Sequence, residues 1–260
     1  MLVMVAAKNS SNPEPQSPGL AVVVPVNNEV ENVGPLAAEI SAALSGQESF
    51  EMIFVDDGSN DGTADQLRTL QGRHPELRVF SHRQCFGQSA AIWTGVAAAR
   101  ALVIATLDGD GQNDPADIPG LLERFRQADA PDKLMVVGHR AKRRDTWLKR
   151  TSSRIANGVR AALLGDGTPD TGCGLKVFSR DTFLAMPRFD HMHRFLPALM
   201  MRGGGRVESV PVNHRPRERG QSKYGLWNRL GVGITDLFGV MWLLRRGSRP
   251  EIEPGPENDA

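Results

Sequence analysis

Two acidic clusters hold the side chains best suited to chemistry. Asp108-Gly109-Asp110-Gly111-Gln112 sets three oxygen donors at alternate positions, and in an extended segment alternate side chains face one way. Such a set suits Mg²⁺, which prefers one or two carboxylates with phosphate oxygens and water filling the remaining positions. A calcium loop does not fit. An EF-hand needs Gly sixth and Glu twelfth; from Asp57 these positions are Gly62 and Arg68, and from Asp108 they are Asn113 and Pro119. An isolated Asp-x-Asp is more often a plain acidic turn, but here Gln112, a strand-end position and a second cluster favour the metal. That second cluster is Phe54-Val55-Asp56-Asp57-Gly58-Ser59-Asn60-Asp61-Gly62-Thr63. Its Asp61-Gly62-Thr63 part reads as a turn that caps the next helix. A carboxylate at the strand end, Asp56 or Asp57, can accept hydrogen bonds from a nucleobase or ribose.

The elements that must position these groups alternate along the chain. Apolar strands are expected at Leu20–Val26, Phe50–Val55, Leu77–Phe80, Ala101–Leu107 and Leu134–Gly138, with another strand-like run at Leu175–Phe178. Helices are expected at Val33–Leu44, Thr63–Leu70, Gly87–Arg100 and Pro115–Gln127. Near-continuous apolar strands separated by helices predict an α/β fold, a mostly parallel sheet covered by helices on both faces. Ligands of such sheets sit at the carboxyl ends of the strands, where both acidic clusters fall. Neither G-x-x-x-x-G-K-[ST] nor, after the first strand, G-x-G-x-x-G occurs; the loop there is Pro25-Val26-Asn27-Asn28-Glu29. Without a glycine cradle, a carboxylate-held cation is the simplest way to neutralise phosphate.

The formal charge of +1 hides a division. Residues 1–132 carry 18 acids against 8 bases, and residues 133–260 carry 12 acids against 23 bases. A basic half points to an anionic partner. With 40% apolar and 23% charged residues the composition is globular, which excludes wholesale disorder and a polytopic membrane protein. Two cysteines, Cys85 and Cys173, support neither a disulfide framework nor a cysteine zinc site. Residues 1–19 read as a flexible leader without a secretory signal, and 247–260 as a disordered tail. The segment from Arg140 to Arg160 holds eight Lys/Arg and one acid, with Trp147, Leu148 and Ile155 interleaved. It is either a solvated face or a membrane-facing helix, and the membrane reading is preferred, since basic residues beside anionic lipid contribute about 1 kcal/mol each. Nucleic acid is disfavoured: no recognisable motif is present and the chain has one Tyr for stacking. Leu230–Leu244 carries Leu230, Ile234, Leu237, Met241 and Leu244 at helical spacing. At about 22 Å it is too short to span the roughly 30 Å hydrocarbon core. Residues 226–246 therefore read as an amphipathic helix that lies in the membrane interface or packs on the protein's own core.

In this order and spacing, P-V-N-N-E, V-D-D-G-S-N-D-G-T, L-D-G-D-G-Q-N-D-P and R-x-x-G-x-S-K-Y resemble glycosyltransferase family 2 over roughly residues 20–230. The nearest likeness is to its dolichol-phosphate mannosyltransferase-like group, which transfers a sugar to a polyprenyl phosphate. The resemblance implies a Rossmann-like GT-A domain over residues 20–225, a nucleotide-sugar donor, Mg²⁺ or Mn²⁺, and inversion at the anomeric carbon. It puts Pro25, Asn27, Glu29, Val55 and Asp57 around the nucleoside. Asp108, Asp110 and Gln112 would hold the metal, Asp110 being the catalytic group, and Gly109 would line the pyrophosphate. Arg140, Arg217 and Lys223 would bind the donor's or acceptor's phosphates, with Arg143, Arg154, Arg219 and Ser222 as further acceptor-phosphate candidates. Two departures stand out: Asn27 replaces a usual aromatic residue and Cys85 a usual Asn. No Q-x-x-R-W motif of processive synthases is present, which favours addition of a single sugar. The arginine surplus mildly favours an acidic sugar such as galacturonate over mannose or glucose. Asp170 is a weaker candidate for touching the sugar, and His191 and His193 read as structural. The implied setting is the cytoplasmic face of a membrane, peripherally bound, with anionic lipid and a downstream membrane protein as partners. The alternative is a soluble family 2 enzyme acting on a saccharide or other hydroxyl; a nucleotidyltransferase lacks its Gly-rich loop here, and a catalytically dead docking protein has no need of three intact donors.

Overall fold

The computed structural model describes residues 17–46, 49–140, 158, 160, 163–216 and 226–246, with the side chains of the last helix described from Gly233 onward. The elements follow in the order β1 (Leu20–Val26), α1 (Val30–Leu44), β2 (Phe50–Asp56), α2 (Thr63–Gln71), β3 (Leu77–Ser81), α3 (Gln88–Ala98), β4 (Val103–Thr106), α4 (Ile118–Arg126), β5 (Leu134–His139), β6 (Lys176–Ser179), α5 (Arg180–Leu184), α6 (Leu196–Arg202), β7 (Arg206–Pro211) and α7 (Leu226–Arg245). They build one seven-stranded sheet in the order β3-β2-β1-β4-β6-β5-β7.

β1 explains why this sheet has two covered faces. All seven of its residues are buried, so its alternating side chains must meet apolar partners on both sides. Leu20, Val22, Val24 and Val26 pack with Val33, Leu36 and Ile40 of α1, Leu67 of α2 and Phe125 of α4. Ala21 and Val23 face the opposite layer, with Ile92 and Val96 of α3, Phe183 of α5, Leu199 of α6 and Val240 of α7. Strands β3, β2, β1 and β4 run parallel. β6 then enters antiparallel to both β4 and β5, and β7 closes the sheet parallel to β5. The reversal at β6 was not readable from the run Leu175–Phe178, and neither α6 nor β7 was anticipated. Only half-burying its residues, the edge strand β7 lacks the apolar run that marks the central strands.

No helix of the described residues is long and apolar enough to cross a membrane. Inward from Gly233, α7 docks Leu237, Val240, Met241, Leu243 and Leu244 on the α3 side of the core. Its other face leaves Ile234, Phe238 and Trp242 exposed at 50, 62 and 62%. The helix therefore packs on the core, one of the two alternatives expected of it, and leaves an apolar stripe exposed. The basic segment, with Arg143, Arg154, Trp147, Leu148 and Ile155, lies outside the described residues, as do Arg217, Arg219, Ser222, Lys223, the leader through residue 16 and the tail from 247. Arg160, at the end of that segment, turns inward and pairs with buried Asp166, Nη2 to Oδ1 2.5 Å.

Candidate active site

A cavity of about 620 Å³ opens over the carboxyl ends of β1, β2 and β4. Pro25, Asn27, Glu29 and Asp57 line one end, and Asp108, Gly109, Asp110 and Gln112 its middle. Arg140, Lys176, the Thr171–Gly174 loop, Gln88, His193 and Arg194 complete the wall. The strand ends thus bring together every described residue expected there except Val55 and the weaker candidate Asp170. Val55 is fully buried and does not line the cavity. Strand alternation is the reason, for Val55 and Ile53 point into the α3-side core.

At the β2 end the acidic cluster is largely satisfied by the protein itself. Asp56 accepts from the Ser59 backbone N–H at 3.1 Å and from the Ser59 hydroxyl. Asp61 accepts from the backbone N–H groups of Thr63 (3.0 Å) and Val30 (3.2 Å), so one carboxylate serves the first turns of α2 and α1 together. Asp57 Oδ1 faces His82 Nδ1 at 2.7 Å and accepts from the Phe86 N–H at 2.9 Å, while its Oδ2 accepts from the Gly87 N–H at 2.7 Å and the Cys85 thiol at 3.2 Å. Burial alone would raise this carboxyl, but the bonds from His82, Phe86, Cys85 and Gly87 outweigh it and hold Asp57 below the usual carboxylate range. Asn27 donates to the Asp57 carbonyl at 2.6 Å, and Glu29 accepts from Asn32 at 2.6 Å. Asp57 is therefore the anchor of the 82–87 loop as well as a wall of the cleft, and Cys85 joins that anchor through its thiol.

The β4 end differs. The run 108–112 is a turn rather than an extended segment, because Gly111 adopts a φ of +72°, which a side chain rarely tolerates. The turn still directs Asp108, Asp110 and Gln112 into the cavity. Gly109 packs against Val26 beneath them. Asp108 accepts from Gln88 Nε2 at 2.8 Å, and a Cβ at Gly174 would collide with its carboxylate. Burial pushes the Asp108 carboxyl up; the charge of Asp110 adds to this, and Lys176, Arg140 and Gln88 oppose it without reversing it. Asp110 Oδ1 accepts from the Gln112 N–H at 3.1 Å, and Gln112 Nε2 reaches the Arg215 carbonyl at 3.4 Å. Among the described residues no three His, Cys, Asp or Glu side chains converge to hold a metal by themselves. The donor set is two neighbouring carboxylates and an amide oxygen, with the carboxylates under mutual repulsion. That set fits Mg²⁺ or Mn²⁺ completed by substrate oxygens.

Two residues of the far wall, Lys176 and Gln88, were passed over in the sequence, and a third, His193, was read there as structural. Lys176 is buried in β6 and donates to the Cys173 carbonyl. Burial lowers its affinity for a proton, against the pull of Cys173, Asp108 and Asp170. A lysine inside the apolar run Leu175–Phe178 was the available signal. Gln88, the first residue of α3, supplies the Asp108 contact, and His193 is bonded through Nδ1 to the Ser89 hydroxyl at 2.7 Å. Burial, together with the charges of Arg194, Lys176 and His191, pushes the His193 imidazole down to about 3, so it is neutral at pH 7. Arg140 is gripped by Asp170 through Nε–Oδ2 at 2.6 Å and Nη2–Oδ1 at 2.7 Å. Asp170 thus positions an arginine in the cleft wall.

Comparison with known proteins agrees with this geometry. Residues 21–185 match the profile of glycosyl transferase family 2. A dodecaprenyl-phosphate galacturonate synthase of Rhizobium johnstonii is 36% identical over 96% of this chain and 74% of its own length. An undecaprenyl-phosphate 4-deoxy-4-formamido-L-arabinose transferase of Edwardsiella ictaluri is 35% identical over 82% of this chain, and the match spans 65% of that protein. In fold, the chain is similar to glucosyl-3-phosphoglycerate synthase of Mycobacterium tuberculosis, solved with Mn²⁺, UDP and glucosyl-3-phosphoglycerate, at TM-score 0.65 and 19% identity over 87% of this chain and 80% of that one. A mannosyltransferase of Pyrobaculum calidifontis, solved with GDP-Man and Mn²⁺, superposes at the same TM-score of 0.65 with 18% identity, covering 90% of this chain and 66% of that one. The sheet, the acidic cleft at its strand ends and these likenesses converge: the chain belongs to glycosyl transferase family 2.

Proposed function

We propose that the protein transfers one sugar from a nucleotide-sugar donor to a polyprenyl phosphate at a membrane surface, with inversion at the anomeric carbon. The observation that carries this reading is the single cleft in which a polar nucleoside end at Asn27, Glu29 and Asp57 adjoins the carboxylate pair Asp108 and Asp110. The relatives named for dodecaprenyl- and undecaprenyl-phosphate products support the acceptor class, and the galacturonate relative supports an acidic sugar.

The chemistry follows from charge. A hydroxyl acceptor needs a base to remove its proton, whereas a phosphate acceptor is already ionised near pH 7, its second pKa being about 6. It can attack the anomeric carbon once held in line, and its own oxygen becomes the new glycosidic oxygen as the nucleoside diphosphate leaves. Asp108, Asp110 and Gln112 would hold a Mg²⁺ or Mn²⁺ ion, which when bound stabilises charge on the leaving diphosphate. Asn27 and Glu29 bind the nucleoside, while Asp57 shapes the loop beside it. Gln88 fixes the Asp108 carboxylate. Of the phosphate-binding candidates, Arg140 stands in the cleft; Arg217, Lys223, Arg143, Arg154, Arg219 and Ser222 complete the proposal from segments outside the described residues.

The exposed stripe Ile234, Phe238 and Trp242, ending in Arg245 and Arg246, supports peripheral binding to the cytoplasmic face of a membrane. Arg246 lies 6.0 Å from the Trp242 ring centroid, as an interfacial cation–aromatic pair would. Replacing Phe238 and Trp242 by Ser is expected to cut co-sedimentation with anionic vesicles about tenfold; unchanged partition would rule the stripe out as the anchor.

The acceptor class is tested by incubating the protein with Mg²⁺, undecaprenyl phosphate and UDP-galacturonate, UDP-glucose or GDP-mannose, reading products by mass spectrometry and their anomeric configuration by NMR. A lipid-linked monosaccharide of inverted configuration is expected from one donor. Sugar transfer to a soluble hydroxyl acceptor, with none to the lipid, would replace this reading with that of a soluble transferase.

A further inference from the structure

The cations of the cleft are not equivalent. Arg140 is held by both oxygens of Asp170, and Lys176 lies buried on the Cys173 carbonyl. Arg194 lines the same cavity half-buried, and among the described residues its guanidinium makes no hydrogen bond or ion pair. Its neighbour His193 is held by Ser89 and is uncharged, so among the described residues this part of the wall presents one positive charge without a partner. A guanidinium in the cleft wall with no partner among the described residues can pair with an anionic ligand through charge-assisted hydrogen bonds.

Position indicates which anion. Gln88 and Ser89 are consecutive residues at the start of α3; the first bonds Asp108 and the second bonds His193. The His193-Arg194 wall is therefore linked to the Asp108 carboxylate through two consecutive residues of α3. The donor's diphosphate charge is met at Asp108 and Asp110 by the cation they would hold. On its outer side the same loop is tied to α7, with His191 Nδ1 3.1 Å from Asp236 Oδ2. By helical spacing Asp236 lies on the face of α7 that carries buried Val240, opposite exposed Ile234, Phe238 and Trp242, so α7 meets the segment that carries Arg194 with its inward face. That segment touches α7 through His191 and the cleft through His193 and Arg194, so an anionic head that enters the cleft from the α7 side would meet Arg194.

We propose that Arg194 binds the phosphate of the polyprenyl acceptor and holds it for attack. The assignment rests on the reading of the reaction given above and adds a residue to it. The Arg194 guanidinium would donate to two phosphate oxygens, leaving the third to attack, while neutral His193 stays out of proton transfer and fixes the backbone.

The test is steady-state kinetics of wild type, Arg194→Ala and Arg194→Lys with Mg²⁺, a nucleotide sugar that yields product and a short-chain polyprenyl phosphate in detergent. Arg194→Ala is expected to raise KM for the lipid phosphate at least about tenfold, the scale of one lost charge-assisted contact. Arg194→Lys should recover part of that loss, and KM for the nucleotide sugar should stay within about twofold, as expected for an uncoupled contact. Calorimetric binding of the nucleotide sugar to both variants checks that the donor site is intact. An unchanged lipid KM in both variants would overturn the assignment. A raised KM for UDP-galacturonate with none for the lipid would also overturn it, giving Arg194 to the sugar's carboxylate instead. If wild type glycosylates no polyprenyl phosphate, the reaction itself is wrong and the assignment falls with it; wild-type activity with indifferent variants removes only Arg194.

Discussion

Asp57 and Asp108 occupy the same place in the fold, each just beyond a central parallel strand, yet their surroundings are opposite. Asp57 receives four hydrogen bonds from the 82–87 loop and is held below the ordinary carboxylate range. Asp108 is pushed up by burial and by Asp110, with Gln88 as its hydrogen-bond donor. One carboxylate is completed by the protein and organises structure; the other is left with charge that the protein does not neutralise. Two acids at equivalent strand ends thus differ in how many hydrogen bonds the protein itself gives them.

The largest effect expected from this contrast is on transfer. Asp110→Asn and Asp108→Asn should each lower kcat at least about 10³-fold, the scale of losing charge stabilisation at a developing anion. Circular dichroism should show both variants folded. Substantial activity in either would remove the carboxylate pair from the reaction. On the other side of the comparison, Asp57→Ala leaves Phe86 and Gly87 N–H groups without their acceptor and should lower unfolding stability by about 2 kcal/mol in denaturant titrations. A neutral outcome would mean that the loop finds other acceptors, and the contrast would lose its structural half.

Metal addition separates the two acids further. At ten times its Kd, Mn²⁺ should stabilise wild type by about 1.4 kcal/mol, visible as a raised thermal midpoint. Asp57→Ala should retain that increment and Asp108→Asn should lose it. Equal increments in both would place the metal elsewhere.

The smallest expected effect is on pH dependence, and its sign differs between the two residues. Asp57 has a depressed folded-state value, so its stabilisation is present above about pH 4 and is lost as pH falls through that value. Asp108 has a raised folded-state value, so its ionisation costs the metal-free fold stability. That cost is relieved as pH falls from neutral through the raised value. The difference in unfolding free energy between metal-free wild type and Asp108→Asn should accordingly shrink on acidification; a difference that grows would contradict the direction given for Asp108.

Much of this was legible in sequence because it depends on local pattern. The fully apolar strands β1 and β2 and the Asp/Gly clusters at their ends follow from composition over a few residues. Asp61 as a cap was likewise legible, although its second bond, to Val30 of α1, was not. What escaped depends on long-range pairing. β6 is antiparallel because it inserts between β4 and β5, and nothing in Lys176–Ser179 encodes that neighbour choice. Arg140 was identifiable as a cleft cation, but its grip by Asp170 spans thirty residues. Val55 was assigned by motif, and simple strand alternation would have turned it inward. His193 was read as structural, and its bond to Ser89 agrees with that, although the partner 104 residues away was not readable.

If Asp108 and Asp110 hold a divalent cation beside a nucleotide sugar, the rate of lipid-linked sugar formation must follow a Mg²⁺ titration after chelation. No product is expected in EDTA, saturable recovery is expected as Mg²⁺ is restored, and none at any Mg²⁺ concentration in Asp110→Asn. Transfer that persists in EDTA, or an Asp110→Asn protein that recovers with Mg²⁺, would contradict it.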